Sequence, residues 1–243
     1  MEAQVNRLVE KLWVKYLDTA PSQRLLIAIG GIPGSGKTTL ARMVVAGVNR
    51  RQAAETPDAE PVAMAVPMDG FHLTRAQLSA MPDPERAHAR RGAEFTFDGA
   101  AFLVLVQRLR AEVSVSSSPS SPTPFILAPS FDHAVKDPVA DAIAIGSRQR
   151  IVVFEGNYVC LDREPWRSAA RKMDERWFVD TPDLAVVRAR LVRRHVAAGI
   201  VADEAAAGLR ADKNDLVNGA EILRERLADV DELIVSREDA SWA

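Results

Sequence analysis

Residues 31 to 38 read GIPGSGKT, a G-x-x-x-x-G-K-T run that ends the apolar stretch RLLIAIGG and leads into a helix-forming stretch from Lys37 to about Arg50. Glycines at these positions let the backbone fold around an anion with its N–H groups turned inward, where a β-carbon would block either the required φ or the approach. The flanks matter as much as the motif. A short apolar run bounded by glycine suits a strand buried on both faces of a parallel sheet, and the helix behind the loop points its positive end at the same anion. Strand, loop and helix in that order restrict the chain to an α/β fold with a phosphate cradle at one edge of its sheet. Gly31, Pro33, Gly34, Ser35 and Gly36 form the cradle, Lys37 supplies a point charge for β- and γ-phosphates, and the Thr38 hydroxyl is placed for Mg²⁺. Thr39 completes the binding stretch and is better suited to packing than to chemistry.

The remaining sequence repeats the alternation. PVAMAVP, RIVVFEGNYV, ERWFVD and DELIVS read as strands, while DGAAFLVLVQRLRAEV (with Asp98 as cap), DLAVVRARLVRRHVAAG and GAEILRERLADV read as helices. That order predicts a three-layer αβα P-loop NTPase fold with a mostly parallel central sheet. Ahead of it, Val5, Leu8, Val9, Leu12, Tyr16 and Leu17 recur at helical spacing, so residues 1–20 are expected to form an amphipathic helix packed on the domain 21–243. The run SVSSSPSSPTP, residues 114–124, cannot bury a core and is expected to be a flexible surface insertion.

Composition removes several classes of function. A net charge of −2 leaves no broad basic surface for a nucleic-acid backbone. One cysteine, Cys160, forms no internal disulfide, and the four histidines show no zinc spacing. No stretch resembles a signal peptide or reaches about 18 apolar residues. The expectation is a cytoplasmic protein with neither nucleic-acid nor membrane partner; oligomeric state is not legible.

A phosphate cradle does not by itself choose a reaction, so the residues at the other strand ends must. Asp69 directly follows a predicted buried strand, where it can accept a proton from a hydroxyl or hold Mg²⁺ through water; Asp-Gly is also common turn chemistry. Glu155 closes the apolar run IVVFE, a costly place for a carboxylate unless metal or water compensates, and reads as the acid of the Mg²⁺–water shell. A guanine-selecting N-K-x-D is absent, as is an LSGGQ-like signature. Two readings follow: a small-molecule kinase, or a P-loop ATPase acting as a switch or partner-binding module.

MDGFH, RRGAEFTFD (residues 90–98) and FEGNY carry a resemblance to the phosphoribulokinase, uridine kinase and pantothenate kinase superfamily. MDGFHL, PDPERAHARRGAEFTFD, PSFDHAVKDPV and EGNYVCLD are similar to a branch that includes a yeast ATP-dependent kinase and bacterial kinases named for fructose transport. The resemblance spans the chain from about residue 24. It implies phosphoryl transfer from ATP to a hydroxyl of a small metabolite, with Asp69 as base. It also implies a helical lid over about 195–216, with Arg190 and Arg194 closing on the transferred group and Asn214 and Asn218 near the nucleotide. In the loop PSFDHAVKDP the chain departs from both pantothenate and uridine kinases, so neither acceptor carries over. Asp132 and His133 are assigned to the acceptor, with pocket shape set among Phe71, His72, Phe131, Tyr158 and Trp166. Arg90 and Arg91 reach either an anionic group or solvent.

Overall fold

The computed structural model describes residues 2–111, 113 and 125–236; the expected insertion at 114–124 lies outside them. The chain opens with α1 (Glu2–Asp18), β1 (Leu25–Gly31), α2 (Lys37–Glu55) and β2 (Ala63–Pro67). Short helices α3 (Arg75–Ser79) and α4 (Pro84–Ala89) precede the longer α5 (Gly99–Arg110). Then come β3 (Ile126–Asp132), β4 (Asp137–Ile145), β5 (Ile151–Glu155), α6 (Trp166–Ala170) and β6 (Glu175–Asp180). The last third holds α7 (Leu184–Ala197), α8 (Glu204–Arg210), α9 (Leu216–Glu225) and β7 (Glu232–Val235).

Among the described residues, five strands form one parallel sheet in the order β2-β5-β1-β6-β7. Successive side chains of a strand point to opposite faces, and both faces here are apolar. Leu26, Ala28, Val152 and Phe154 meet Phe102, Tyr158, Trp166 and Leu191 on one side. Leu25, Ile27, Ile29, Ile151 and Val153 meet Leu8, Leu12, Leu40 and Val44 on the other. The result is a three-layer αβα sandwich. Helix α1 lies against α2, with Val5, Leu8, Val9, Leu12 and Trp13 buried. No helix among the described residues is long and apolar enough to cross a membrane.

The sequence reading left PSFDHAVKDPV as a loop, whereas β3 and β4 pair there as an antiparallel hairpin outside the main sheet. Pro129 and Pro138 hide the strands, since proline is tolerated only at edges and bulges. The register shifts between Ala128 and Ser130, and Asp141 takes a left-handed φ of 55° in the opposing strand. Asp132 turns the hairpin: its Oδ1 accepts from the Ala134 and Val135 N–H groups at 2.8 and 3.0 Å.

A charged seam joins α1 to the sheet edge. Arg7 donates to both carboxylate oxygens of Glu232 at 3.0 and 2.8 Å, and Lys11 bridges Glu232 and Glu175 at 2.8 and 2.7 Å. The bonds from Arg7, aided by Lys11, outweigh desolvation and hold the Glu232 carboxyl down to about 2. Its folded pKa lies below the ordinary 4.5, so its contribution to stability is complete above that value and is lost as pH falls towards about 2. Urea midpoints measured across this window are expected to fall less steeply in Glu232→Gln than in the native chain.

Candidate active site

The loop between β1 and α2 is shaped by its glycines. Gly36, the residue before α2, has φ 98° and ψ 15°, a conformation that disfavours any β-carbon, and no side chain caps the helix behind it. The first N–H groups of a 19-residue helix therefore face the loop. Lys37 is only 7% exposed, and its Nζ donates to the Ile32 carbonyl at 2.8 Å. Burial takes its ammonium down to about 8, against the opposing pull of Glu155. Pro33 is buried, Thr39 half-buried and Thr38 exposed. Ser35 is fully buried with an unpartnered hydroxyl.

Strand register brings the acids to this loop. Glu155 stands opposite both Ile29 and Pro67, so β1, β5 and β2 end side by side, and Asp69 follows in a 3-10 turn over Met68–Phe71. Gly156 permits that closeness: a β-carbon there would lie 2.4 Å from Met68 Cβ. Thr38 Oγ1 donates to Glu155 Oε1 at 3.1 Å. Desolvation pushes the Glu155 carboxyl up, opposed by Lys37 and reinforced by the negative charge of Asp69. Lys37, Glu155 and Asp69 thus share one electrostatic site.

Next to Asp69, His72 N–H and Nδ1–H both donate to the Asp69 main-chain carbonyl, at 3.1 and 2.8 Å. Burial lowers the His72 pKa and keeps the ring neutral. The ring centroid lies 4.0 Å from Phe97 and 4.8 Å from Phe131, and Phe131 lies 5.2 Å from His133, giving an aromatic wall that begins beside Asp69. His133 is exposed, and the carboxylate of Asp132 serves the hairpin turn.

Two expectations change. Tyr158 is fully buried and its hydroxyl donates to the Gly92 carbonyl at 2.9 Å, so it supports the 90–92 segment rather than facing an acceptor. Arg91 donates to Lys136 O at 2.6 Å, Leu73 O at 3.1 Å and Asp137 Oδ1 at 3.0 Å, with its guanidinium 5.6 Å from the Phe131 ring centroid. It fastens the hairpin to the loop after Asp69, in place of the anion or solvent left open by the sequence. Asn214 and Asn218 both accept from Arg90. A groove of 380 Å³ between α5, the hairpin and residues 70–74 has none of Lys37, Asp69 or Glu155 in its lining.

Helix α7 faces the cradle from the far side. Arg190 Nη1 donates to Ser236 Oγ at 2.9 Å and to Gly34 O at 3.4 Å. The charge of Arg194 bears on both Lys37 and Glu155, and its Nη2 lies 4.0 Å from Asp215 Oδ1. Between α8 and α9 the backbone forms a π-helical turn over Ala211–Asp215. Helical periodicity carries no signal for such a turn.

The residues gathered at this loop are of the types that could hold a nucleotide with a divalent cation. Among the described residues no group of three or more His, Cys, Asp or Glu side chains is arranged to hold a metal. Magnesium needs no such cage, because it keeps waters and takes one or two protein oxygens with the substrate's phosphates. Thr38 Oγ1 and Glu155, already bonded to each other, could supply those oxygens. The uncapped helix end, the buried Ser35 hydroxyl and Lys37 suit the phosphates.

Sheet order, loop and acids together define a P-loop nucleotide-binding protein. The chain is 55% identical over 160 residues to the ATP-dependent kinase-like protein notR′ of Aspergillus versicolor, covering 66% of this chain and 89% of that one. It is 39% identical over 213 residues to C227.14 of Schizosaccharomyces pombe, named as a uridine kinase, covering 88% and 81%. The crystal structure of YFH7 from Saccharomyces cerevisiae superimposes with a TM-score of 0.81 at 26% identity, covering 97% of this chain and 99% of that one. No family model matches the chain. By its relatives, the protein belongs to the P-loop kinases of the phosphoribulokinase, uridine kinase and pantothenate kinase superfamily.

Proposed function

We propose that this kinase transfers the γ-phosphoryl group of ATP to a hydroxyl of a small metabolite such as a sugar, a nucleoside or a pantothenate-like alcohol. The observation that supports this reading is the convergence of Lys37, the Thr38–Glu155 bond and Asp69 on three adjacent strand ends. Asp69 takes the hydroxyl proton as the acceptor oxygen bonds to the γ-phosphorus and the bond to the β–γ bridging oxygen breaks, releasing ADP. Lys37 holds the β- and γ-phosphates, while Arg194 and Arg190 meet charge on the transferred group. Thr38 and Glu155 would hold Mg²⁺, with Asp69 as a further carboxylate that could bind it through water, and the ion would neutralise charge on the phosphate oxygens. The wall of His72, Phe97, Phe131 and His133 orients the acceptor.

A panel of metabolites assayed for ADP release with MgATP tests the proposal, beginning with nucleosides because one relative is named as a uridine kinase. Release is expected to be slow alone, to rise sharply with one compound, to stop on magnesium chelation, and to yield a phosphomonoester. Rapid release with no acceptor, unchanged by every compound, would replace the kinase reading with an ATPase.

A further inference from the structure

Two buried asparagines lie where the arm α7–α9 meets the acceptor-side segment 90–92. Asn214, in the π-helical turn, is 5% exposed, and Asn218, one turn later on α9, is 2% exposed. Buried amides need partners, and one guanidinium serves both. Arg90 Nε donates to Asn214 Oδ1 at 3.1 Å and Arg90 Nη2 donates to Asn218 Oδ1 at 2.6 Å. Asn214 Nδ2 answers with a bond to the Arg91 carbonyl at 2.9 Å. A planar fork can satisfy two acceptors in fixed geometry, which an ammonium cannot.

Each side of this junction leads to one half of the site. Towards the acceptor, the Arg91 side chain binds Leu73 O and Asp137, and Gly92 O accepts from Tyr158. Towards the phosphates, Asp215 follows Asn214 directly. Its Oδ2 lies 2.9 Å from His195 Nε2, and its Oδ1 lies 4.0 Å from Arg194 Nη2. Asp212, in the same turn, accepts from Arg188 Nε and Nη2 at 2.7 and 2.9 Å. The π turn is therefore held to α7 at two points and to the acceptor side by Arg90.

We propose that Arg90 is a positioning residue that, through Asn214 and Asn218, fixes the π turn carrying Asp215 and so sets where Arg194 stands over the phosphate cradle. This rests on the kinase reading above, in which Arg194 acts on the transferred group. π-Helical turns are rare and survive where surrounding bonds enforce them. Among the described bonds between segment 90–92 and this turn, those from Arg90 carry the charge, so the fork couples that segment to the position of Arg194.

Arg90→Gln and Arg90→Lys separate the fork from the charge. With MgATP present, amides of residues 211–218 are expected to exchange with deuterium about tenfold faster in both variants, while β1 and α2 keep native rates. On the acceptor found by the panel, kcat is expected to fall about tenfold with the KM for ATP within about twofold. In an Arg194→Ala background, Arg90→Lys should cost less than about twofold more, because the residue it acts through is gone. Native exchange at 211–218 would overturn the proposal, as would faster exchange spread through β1 and α2, or a full additional loss in the Arg194→Ala background. If Arg90→Gln does not fold, Arg90→Lys decides by the same readouts. Should no compound act as acceptor, the kinase reading fails on that result while the exchange pattern still decides whether Arg90 holds the turn.

Discussion

Lys37→Ala is expected to reduce ATP-dependent phosphoryl transfer by about 10²–10³-fold or more while leaving the chain folded. The lysine is the buried cation at the seam of β1 and α2, with its Nζ parked on the Ile32 carbonyl. Phosphates entering the loop give that ammonium the counter-charge that burial denies it. Since burial opposes the charged form, removing the ammonium is not expected to lower the melting temperature, which separates lost chemistry from lost structure. The same burial fixes a pH dependence. With the free ammonium brought down to about 8, the charged form is complete at lower pH and depleted above that value. Affinity for MgATP measured by calorimetry should weaken from pH 7 to 9, with proton uptake on binding at the upper end. Native turnover in Lys37→Ala would remove the cradle from the mechanism.

The parts of this fold that could be read from the sequence are those in which one local signal decides the structure. GIPGSGKT is such a signal, because its φ values and close approaches exclude most side chains and its flanking strand and helix are strongly patterned. The runs LLIAIGG, IVVFE and ERWFVD announce strands because both faces of a parallel sheet are covered. Asp69 and Glu155 were placed by the rule that ligands gather at carboxyl ends of strands. What stayed hidden depends on contacts distant in sequence. Pro129 and Pro138 disguise β3 and β4, whose pairing depends on the bulge and on the turn at Asp132. The need for glycine at 156 depends on Met68, far away in sequence, pressing against it. Tyr158 is one of several aromatics that could line an acceptor pocket by sequence, yet its environment is Trp166, Phe97 and the Gly92 carbonyl. Arg90 and Arg91 look like one basic pair, but one turns towards α9 and the other towards the hairpin. Adjacent charges in a sequence carry no direction.

Asp69→Asn is expected to lower kcat by about 10²-fold or more while MgATP still binds. The substitution is informative because of how the loop is built. His72 bonds the main-chain carbonyl of residue 69, through both its N–H and its ring. An amide in place of the carboxylate therefore leaves those bonds intact and keeps the side chain's shape. It also removes a negative charge that pushes the neighbouring Glu155 carboxyl up, so Glu155 should ionise more readily and its bond from Thr38 should persist. Loss of rate would then belong to the missing base or to a missing hold on metal-bound water. The two separate in the magnesium titration: a lost base leaves kcat low at saturating Mg²⁺, whereas a lost water contact is recovered by raising it. Unchanged turnover on the native acceptor would exclude Asp69 from both roles and would move the search for a base to Glu155, the carboxylate that ends β5.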